Sequence, residues 1–354
     1  ISPWNYPLIL TLSPMVEALL AGNPVVLKPS EHTPLTTKLL KKVWDESTEE
    51  PELFQSVYGA GDIGNELVIS KNTDVICFTG STEIGRKIAE VCAPIFKPVI
   101  LELGGKDPMI ILDDADIDRS IEAAIWGGLS NAGQTCISVE RIYVQDTIYQ
   151  QVVSKLSGKI KDISSGGGGD SLIGAISMDV NMEKIKKQIA DARENSQVVE
   201  GSADSGCFIP PTLVVNPPPE AKILQDETFG PVITIQPFQS DQEAIKLANI
   251  TGYGLSASIF GKNRKRMKAI ANRVKTGTVS FNDVLTHYGI ADLPFGGLGL
   301  SGIGKVHGKE GLRAFCLQKG YISNRIQLNS EFWWYKRSNN FGKLLQKWIK
   351  RKYS

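Results

Sequence analysis

Histidine is scarce in this chain: 354 residues contain three, His32, His287 and His307. With so few imidazoles, and no Cys or His at metal-ligand spacing, zinc chemistry finds no ligand cluster. A Cys–His protease pair also lacks a candidate, because His32 follows a strand end and His307 lies among glycines, settings that suit surface or packing residues. The five cysteines, Cys77, Cys92, Cys136, Cys207 and Cys316, are odd in number and show no close pairing. That argues against a disulfide framework and for a reducing compartment, the cytoplasm. A run of about 18 apolar residues, long enough for a bilayer, is missing, as is a signal peptide. The net charge is only +1, so nothing global points to nucleic acid.

What is present is ordinary globular material, 42% hydrophobic and 22% charged, in a length that accommodates two domains. Charge is unevenly spread. Residues 331–354 carry seven Lys or Arg and one Glu, a net of +6, which leaves 1 − 6 = −5 for residues 1–330.

The apolar periodicity predicts an α/β chain. Ser13-Pro14 reads as a helix start ahead of Met15, Val16, Leu19 and Leu20, with Gly22-Asn23-Pro24 as its stop. Strands are expected at 25–27, 54–58, 76–78 and 99–103, and helices at 34–47, capped by Thr33, and at 84–91. Strand–helix–strand repetition of this kind is a parallel, Rossmann-like sheet with crossover helices. From Asp113 the pattern restarts. Helices are expected at 117–129, 148–163, 182–195, 242–249 and 263–274, and strands at 141–144, 211–215, 232–237 and 278–280. Gly166 to Gly169 read as a flexible loop; without a following Lys-Ser/Thr they do not make a phosphate loop.

Several motifs carry chemistry. Gly133-Gln134-Thr135-Cys136 sets a thiol among polar neighbours rather than inside an apolar run, a setting open equally to a nucleophile and to a structural cysteine. Glu102-Leu103-Gly104-Gly105-Lys106 puts a carboxylate at a strand end beside glycines, and Pro3-Trp4-Asn5-Tyr6-Pro7 supplies a side-chain amide in a turn. Gly59-Ala60-Gly61-Asp62-Ile63-Gly64 and Gly80-Ser81-Thr82-Glu83-Ile84-Gly85 both follow strands and compete as dinucleotide-binding patterns. Lys28-Pro29-Ser30-Glu31, Phe78-Thr79-Gly80-Ser81-Thr82, Glu227-Thr228-Phe229-Gly230-Pro231 and Pro294-Phe295-Gly296-Gly297 complete the set.

In this order and spacing, over nearly the whole chain, the motifs resemble the aldehyde dehydrogenase superfamily. The resemblance implies that Cys136 is the nucleophile, that Glu102 is the general base for the hydrolytic water, and that Asn5 with the Cys136 N–H binds the oxyanion. It implies cofactor contacts at Trp4, Lys28, Ser30, Glu31, Gly80, Ser81, Gly85, Glu227 and Phe229. It places the phosphates at Gly80–Gly85 and leaves Gly59–Gly64 near the adenine. A carboxylate at Glu31 favours free ribose hydroxyls, so the expected cofactor is NAD, with NADP tolerated.

The implied domains are 1–103, cofactor binding; 104–318, catalytic; 319–330, a bridging strand for oligomerisation; and 331–354, a basic amphipathic tail. In the family the Pro-Trp-Asn motif sits well inside the chain, so an amino-terminal portion is expected upstream of Ile1. Ile1-Ser2-Pro3-Trp4-Asn5-Tyr6-Pro7 and Val306-His307-Gly308-Lys309 look most like the class 3 branch, which contains fatty aldehyde dehydrogenases. The expected substrate is therefore an apolar, medium- to long-chain aldehyde, and the expected assembly a homodimer. In the tail, Phe341, Leu344, Leu345, Trp348 and Ile349 share one helical face opposite Lys343, Lys347, Lys350 and Arg351, with Phe332-Trp333-Trp334-Tyr335 and Lys336-Arg337 just before. That pattern suits peripheral contact with a membrane surface. The rival reading is a catalytically silent relative that acts through this tail as a membrane-surface or interaction module.

Overall fold

Short apolar runs in the second half of the chain become a seven-stranded sheet ordered Thr278–Phe281, Ser256–Phe260, Asp107–Ile111, Val139–Gln145, Val232–Phe238, Thr212–Val215 and Gln197–Glu200 in the computed structural model. Adjacent strands are parallel except for Gln197–Glu200, which runs antiparallel to its neighbour. Both faces are covered, so the central strands are buried throughout, as in parallel sheets generally. Side chains alternate between the faces. Met109 and Ile111 pack with Ile121, Val152, Leu156 and Ile185 on one side, while Ile110 and Leu112 meet Ile245, Met267 and Ile270 on the other.

The first half builds two parallel pairs, Val25–Leu27 with Phe54–Ser56 and Ile76–Thr79 with Val99–Glu102. The helices Pro34–Ser47, Gly61–Ile69 and Thr82–Cys92 connect successive strands, which is the Rossmann-like α/β pattern expected. Ile1 and Ser2 run between the pairs: Ser2 N–H donates to the Lys28 carbonyl at 3.1 Å, and Thr79 N–H donates to the Ile1 carbonyl at 3.2 Å. Gly302–Ile303 closes the far side, antiparallel to Val99–Glu102. Between Glu102, the last residue of its strand in one sheet, and Asp107, the first of the other sheet, lie only the four residues Leu103 to Lys106. That crossing positions the site.

Several elements depart from the sequence reading. The first helix is Ile9–Leu20, with Pro14 inside it rather than at its start. Leu8 and Tyr6 carbonyls accept the first helical N–H groups, so only the bond that residue 14 would make to the Leu10 carbonyl is lost. Thr33 precedes Pro34–Ser47 but makes no side-chain cap, and Pro34 starts the helix with a φ already suited to it. The helix Gly61–Ile69 occupies what reads as a glycine turn. Asp107–Ile111 reads poorly as a central strand because of Pro108, which a register shift between Asp107 and Pro108 accommodates.

The structure describes residues 1–327, 331, 334 and 341–353. They fall into two compact units, Ile1–Cys316 and Leu317–Ser354. In the second unit, residues 319–327 of the expected bridging strand are irregular backbone without a sheet partner among the described residues, and 328–330 lie outside them. Phe341–Tyr353 is a helix with no buried residue. Phe332, Trp333, Tyr335, Lys336 and Arg337 lie outside the described residues.

Candidate active site

The thiol of Cys136 sits on a loop that the sequence forces into shape. Asn131 and Ala132 adopt positive φ, and so does Gly133 at +70°, where an added Cβ would lie 2.0 Å from the Gly230 carbonyl oxygen. Gln134 is fully buried and pins the loop: its amide donates to the Asn131 and Ala175 carbonyls and its oxygen accepts Ser177 N–H. The Pro3–Pro7 segment is stitched to the same loop. Asn5 Nδ2 donates to the Gln134 carbonyl at 3.0 Å, Asn131 Nδ2 donates to the Asn5 carbonyl at 3.1 Å, and Tyr6 Oη lies 2.9 Å from Thr135 Oγ1. Asn5 and Cys136 thus line one cavity, with one of the two Asn5 amide hydrogens left to face it.

Leu103 to Lys106 bring Glu102 to the thiol. The glycines are required here. A Cβ on Gly105 would lie 2.1 Å from the Cys136 carbonyl oxygen, and one on Gly104 would lie 2.7 Å from the Glu227 carboxylate. Gly105→Ala should therefore force apart two main-chain segments that cannot yield like a flexible side chain. The expected cost is about 3 kcal/mol, read from the denaturant midpoint of the purified variant, and an unchanged midpoint would contradict the packing described.

A small void of about 10 Å³ separates the two reacting groups, lined by Glu102 and Cys136 together with Leu10, Leu103, Tyr288 and Phe295. That is roughly the room one water needs. Neither Glu102 oxygen has a hydrogen-bond partner, and both are buried. Burial holds the Glu102 carboxyl well above its usual range; Lys305 opposes the shift and Glu17 adds to it. Burial likewise pushes the Cys136 thiol up, reinforced by Asp107, Glu227 and Glu102. Burial thus biases both groups towards their neutral forms.

A larger cavity of about 750 Å³ opens from Cys136 towards the first sheet pair. Its wall includes Trp4, Lys28, Ser30, Glu31, Gly80 and Ser81, and also Glu227 and Phe229 on the other side. Gly85 is not on the wall. An added Cβ there would lie 2.4 Å from Leu103, so this glycine lets helix and strand pack closely. Lys28 is buried and paired with the half-exposed Glu31 at 3.1 Å. Ser81 caps the helix Thr82–Cys92 by accepting Ile84 N–H, and the first turn of that helix, a natural place for anionic groups, faces the cavity. Gly61 and Gly64 form another wall, where a Cβ would enter open space at Gly61. Trp4 and Phe229 meet edge to face at 5.7 Å, and Phe229 holds a positive φ of 55°. The donors, the helix terminus and the open glycine cradle fit a dinucleotide.

Sequence reading missed the supports of this wall. Lys106 and Glu140 form a fully buried ion pair; Lys106 also donates to Thr228 Oγ1, while Glu140 accepts the N–H groups of Thr228 and Phe229. This pair fixes the turn that presents Glu227 and Phe229. Burial, then the Glu140 charge, pushes Glu227 up to about 7, partly offset by the Gly105 N–H it accepts at 3.0 Å. Lys106 was visible beside the Glu102 motif, but nothing in the sequence joined it to Glu140.

The aldehyde dehydrogenase family profile matches residues 1–320, and the chain belongs to that family. It is 36% identical over 341 residues to a 4,4'-diapolycopene aldehyde oxidase of Methylomonas, covering 95% of this chain and 63% of the relative. It is also 36% identical to the betaine aldehyde dehydrogenase of Bacillus subtilis, covering 92% of this chain and 68% of that one. Among solved structures, the betaine aldehyde dehydrogenase of Staphylococcus aureus in complex with NAD+ superposes with a TM-score of 0.87 at 35% identity, over 95% of this chain and 70% of that one. The chain thus spans about two thirds of the length of the curated relatives it matches.

Proposed function

We propose that this chain carries out NAD(P)-dependent oxidation of an apolar aldehyde to the carboxylic acid, as an aldehyde dehydrogenase of class 3 type. The observation that carries the reading is that Cys136 lines both cavities, the large one that fits a dinucleotide and the small one that it shares with the unpartnered Glu102. The Cys136 thiol loses its proton to solvent by way of the Glu102 carboxylate, its sulfur adds to the aldehyde carbon, and the resulting oxyanion is held by Asn5 Nδ2 and the Cys136 N–H. A bound oxidised nicotinamide supplies a hydride acceptor and a positive charge near the thiol. Collapse of the oxyanion breaks the carbon–hydrogen bond, the hydrogen leaving as the hydride that this acceptor would take, and leaves a thioester on Cys136. Glu102 then takes a proton from water as its oxygen bonds the thioester carbon, and the C–S bond breaks to return the thiolate.

Lys28, Ser30 and Glu31 would hold the adenosine ribose, Gly80 and Ser81 the phosphates, and Trp4, Glu227 and Phe229 the nicotinamide end. The Glu31 carboxylate favours NAD by repelling a 2′-phosphate. The apolar substrate rests on the likeness of residues 1–7 and 306–309 to the class 3 branch. A homodimer is supported by the neighbouring apolar side chains of Ile95 and Phe96, 55% and 92% exposed. The five cysteines are free, which suits a cytoplasmic setting.

Among the described residues no helix is long and apolar enough to cross a membrane. Peripheral contact is supported by the helix Phe341–Tyr353, on which Leu344, Leu345, Trp348 and Ile349 are exposed beside a basic face. NADH formation across aldehydes of increasing length should rise with chain length. Deleting residues 331–354 should depress only long substrates presented in anionic vesicles. No NADH from any aldehyde would overturn the reading, and equal losses on short and long substrates would overturn the membrane role and favour packing on a partner.

A further inference from the structure

Glu102 has two buried oxygens with no hydrogen-bond partner, so its charge and aim must be set by groups that do not bond it. The segment after the strand Gly302–Ile303 brings one of them. That strand pairs antiparallel with Val99–Glu102, Gly302 opposite Glu102, and so fixes where Lys305 emerges. A Cβ on Gly296 would lie 2.7 Å from Glu102 Oε1 and 3.0 Å from Lys305 Cδ; the carboxyl and the lysine stem flank the same glycine. Lys305 Nζ meanwhile donates to the Gly296 carbonyl, which any ammonium can exchange for a carboxylate nearby.

The helix Ile9–Leu20 brings the opposing group. Glu17 Oε1 accepts His307 N–H at 2.5 Å, two residues beyond Lys305, while its Oε2 is buried and without a hydrogen-bond partner. The ionisable groups acting on Glu102 or acted on by it are Lys305, Glu17, Cys136 from the nucleophile loop, Tyr288, and Cys77 from the adjacent strand. In that set Lys305 alone is cationic.

Taking Glu102 as the base of the water step, we propose that Lys305 and Glu17 are opposed positioning residues: Lys305 holds the Glu102 carboxylate ionised and turned towards Cys136, and Glu17 draws it back to the neutral acid. Burial biases Glu102 towards the neutral acid, and the pair sets how readily it ionises when Lys305 turns from the Gly296 carbonyl. Neither touches the reacting atoms.

The test uses the full chain with Lys305→Met, Lys305→Arg and Glu17→Gln, the last keeping an acceptor for His307 N–H. The pH profile of steady-state NADH formation is measured beside the infrared titration of the Glu102 acid carbonyl, assigned by its loss in Glu102→Gln. Lys305→Met should move the acidic limb and the infrared midpoint up by about one pH unit. Glu17→Gln should move both down, and Lys305→Arg should restore the wild-type position. Shifts of one sign for both variants, or a uniform fall in rate with unmoved midpoints, would overturn the proposal and leave these residues as packing. Absence of turnover in the wild type would refute the functional reading alone, because the infrared midpoints still decide whether the pair sets the charge of Glu102.

Discussion

Cys136→Ala is expected to lower aldehyde oxidation by roughly a thousandfold or more while dinucleotide binding survives. The side chain contributes a single sulfur to walls built by other residues. Lys28, Ser81 and Phe229 hold their places through contacts that do not involve it. Loss of chemistry with an intact cavity is therefore the signature of a nucleophile, and dinucleotide titration by fluorescence supplies the control. Alkylation adds a second reading. Cys207 and Cys316 are exposed and should label first. Cys136, its thiol raised by burial and by Asp107, Glu227 and Glu102, should label slowly in the free protein and faster once a cationic nicotinamide shares the cavity. Residual turnover on the order of one per cent would sink the assignment.

The parts of the site that sequence made legible are those where the chemistry is written into adjacent residues. Gly133 to Cys136 and Glu102 to Lys106 each announce a functional group together with the glycines it needs, and the structure explains those glycines by contacts of 2.0 Å and 2.1 Å that a Cβ would make with backbone oxygens. Parallel strands bounded by crossover helices were legible for the same local reason. What the sequence hid is long-range. Glu140 looks like one residue of an alternating strand, and only the fold shows it carrying Lys106 and the Thr228–Phe229 turn, from 34 and 88 residues away. Gly85 matched a phosphate-binding pattern because such patterns mix glycines that approach a ligand with glycines that let a helix approach a strand; Leu103 shows it to be the second kind. Pro108 concealed a central strand because a proline is tolerated there only at a bulge, which depends on Val139 and Arg141 of the partner strand.

Glu102→Gln should separate function from stability. As the base for thioester hydrolysis, its loss should leave the first turnover and slow the second half, so a burst of NADH equal to the enzyme concentration precedes a steady rate lower by roughly a hundredfold or more. The same substitution should stabilise the fold. Burial raises the Glu102 carboxyl far above 4.5 in the native state, so between those two values the folded chain binds a proton that the unfolded chain has lost. Stability then falls as pH rises through that window, because the native state must either keep its proton against the solvent or bury a charge. Glutamine cannot ionise and escapes that cost. The variant should match the wild type in thermal midpoint at about pH 4, where both native and unfolded carboxyls are protonated, and exceed it increasingly towards pH 8. A wild-type midpoint that rises over this range relative to the variant would mean that Glu102 is held as a stabilised carboxylate; a variant without the burst would remove it from the hydrolytic step.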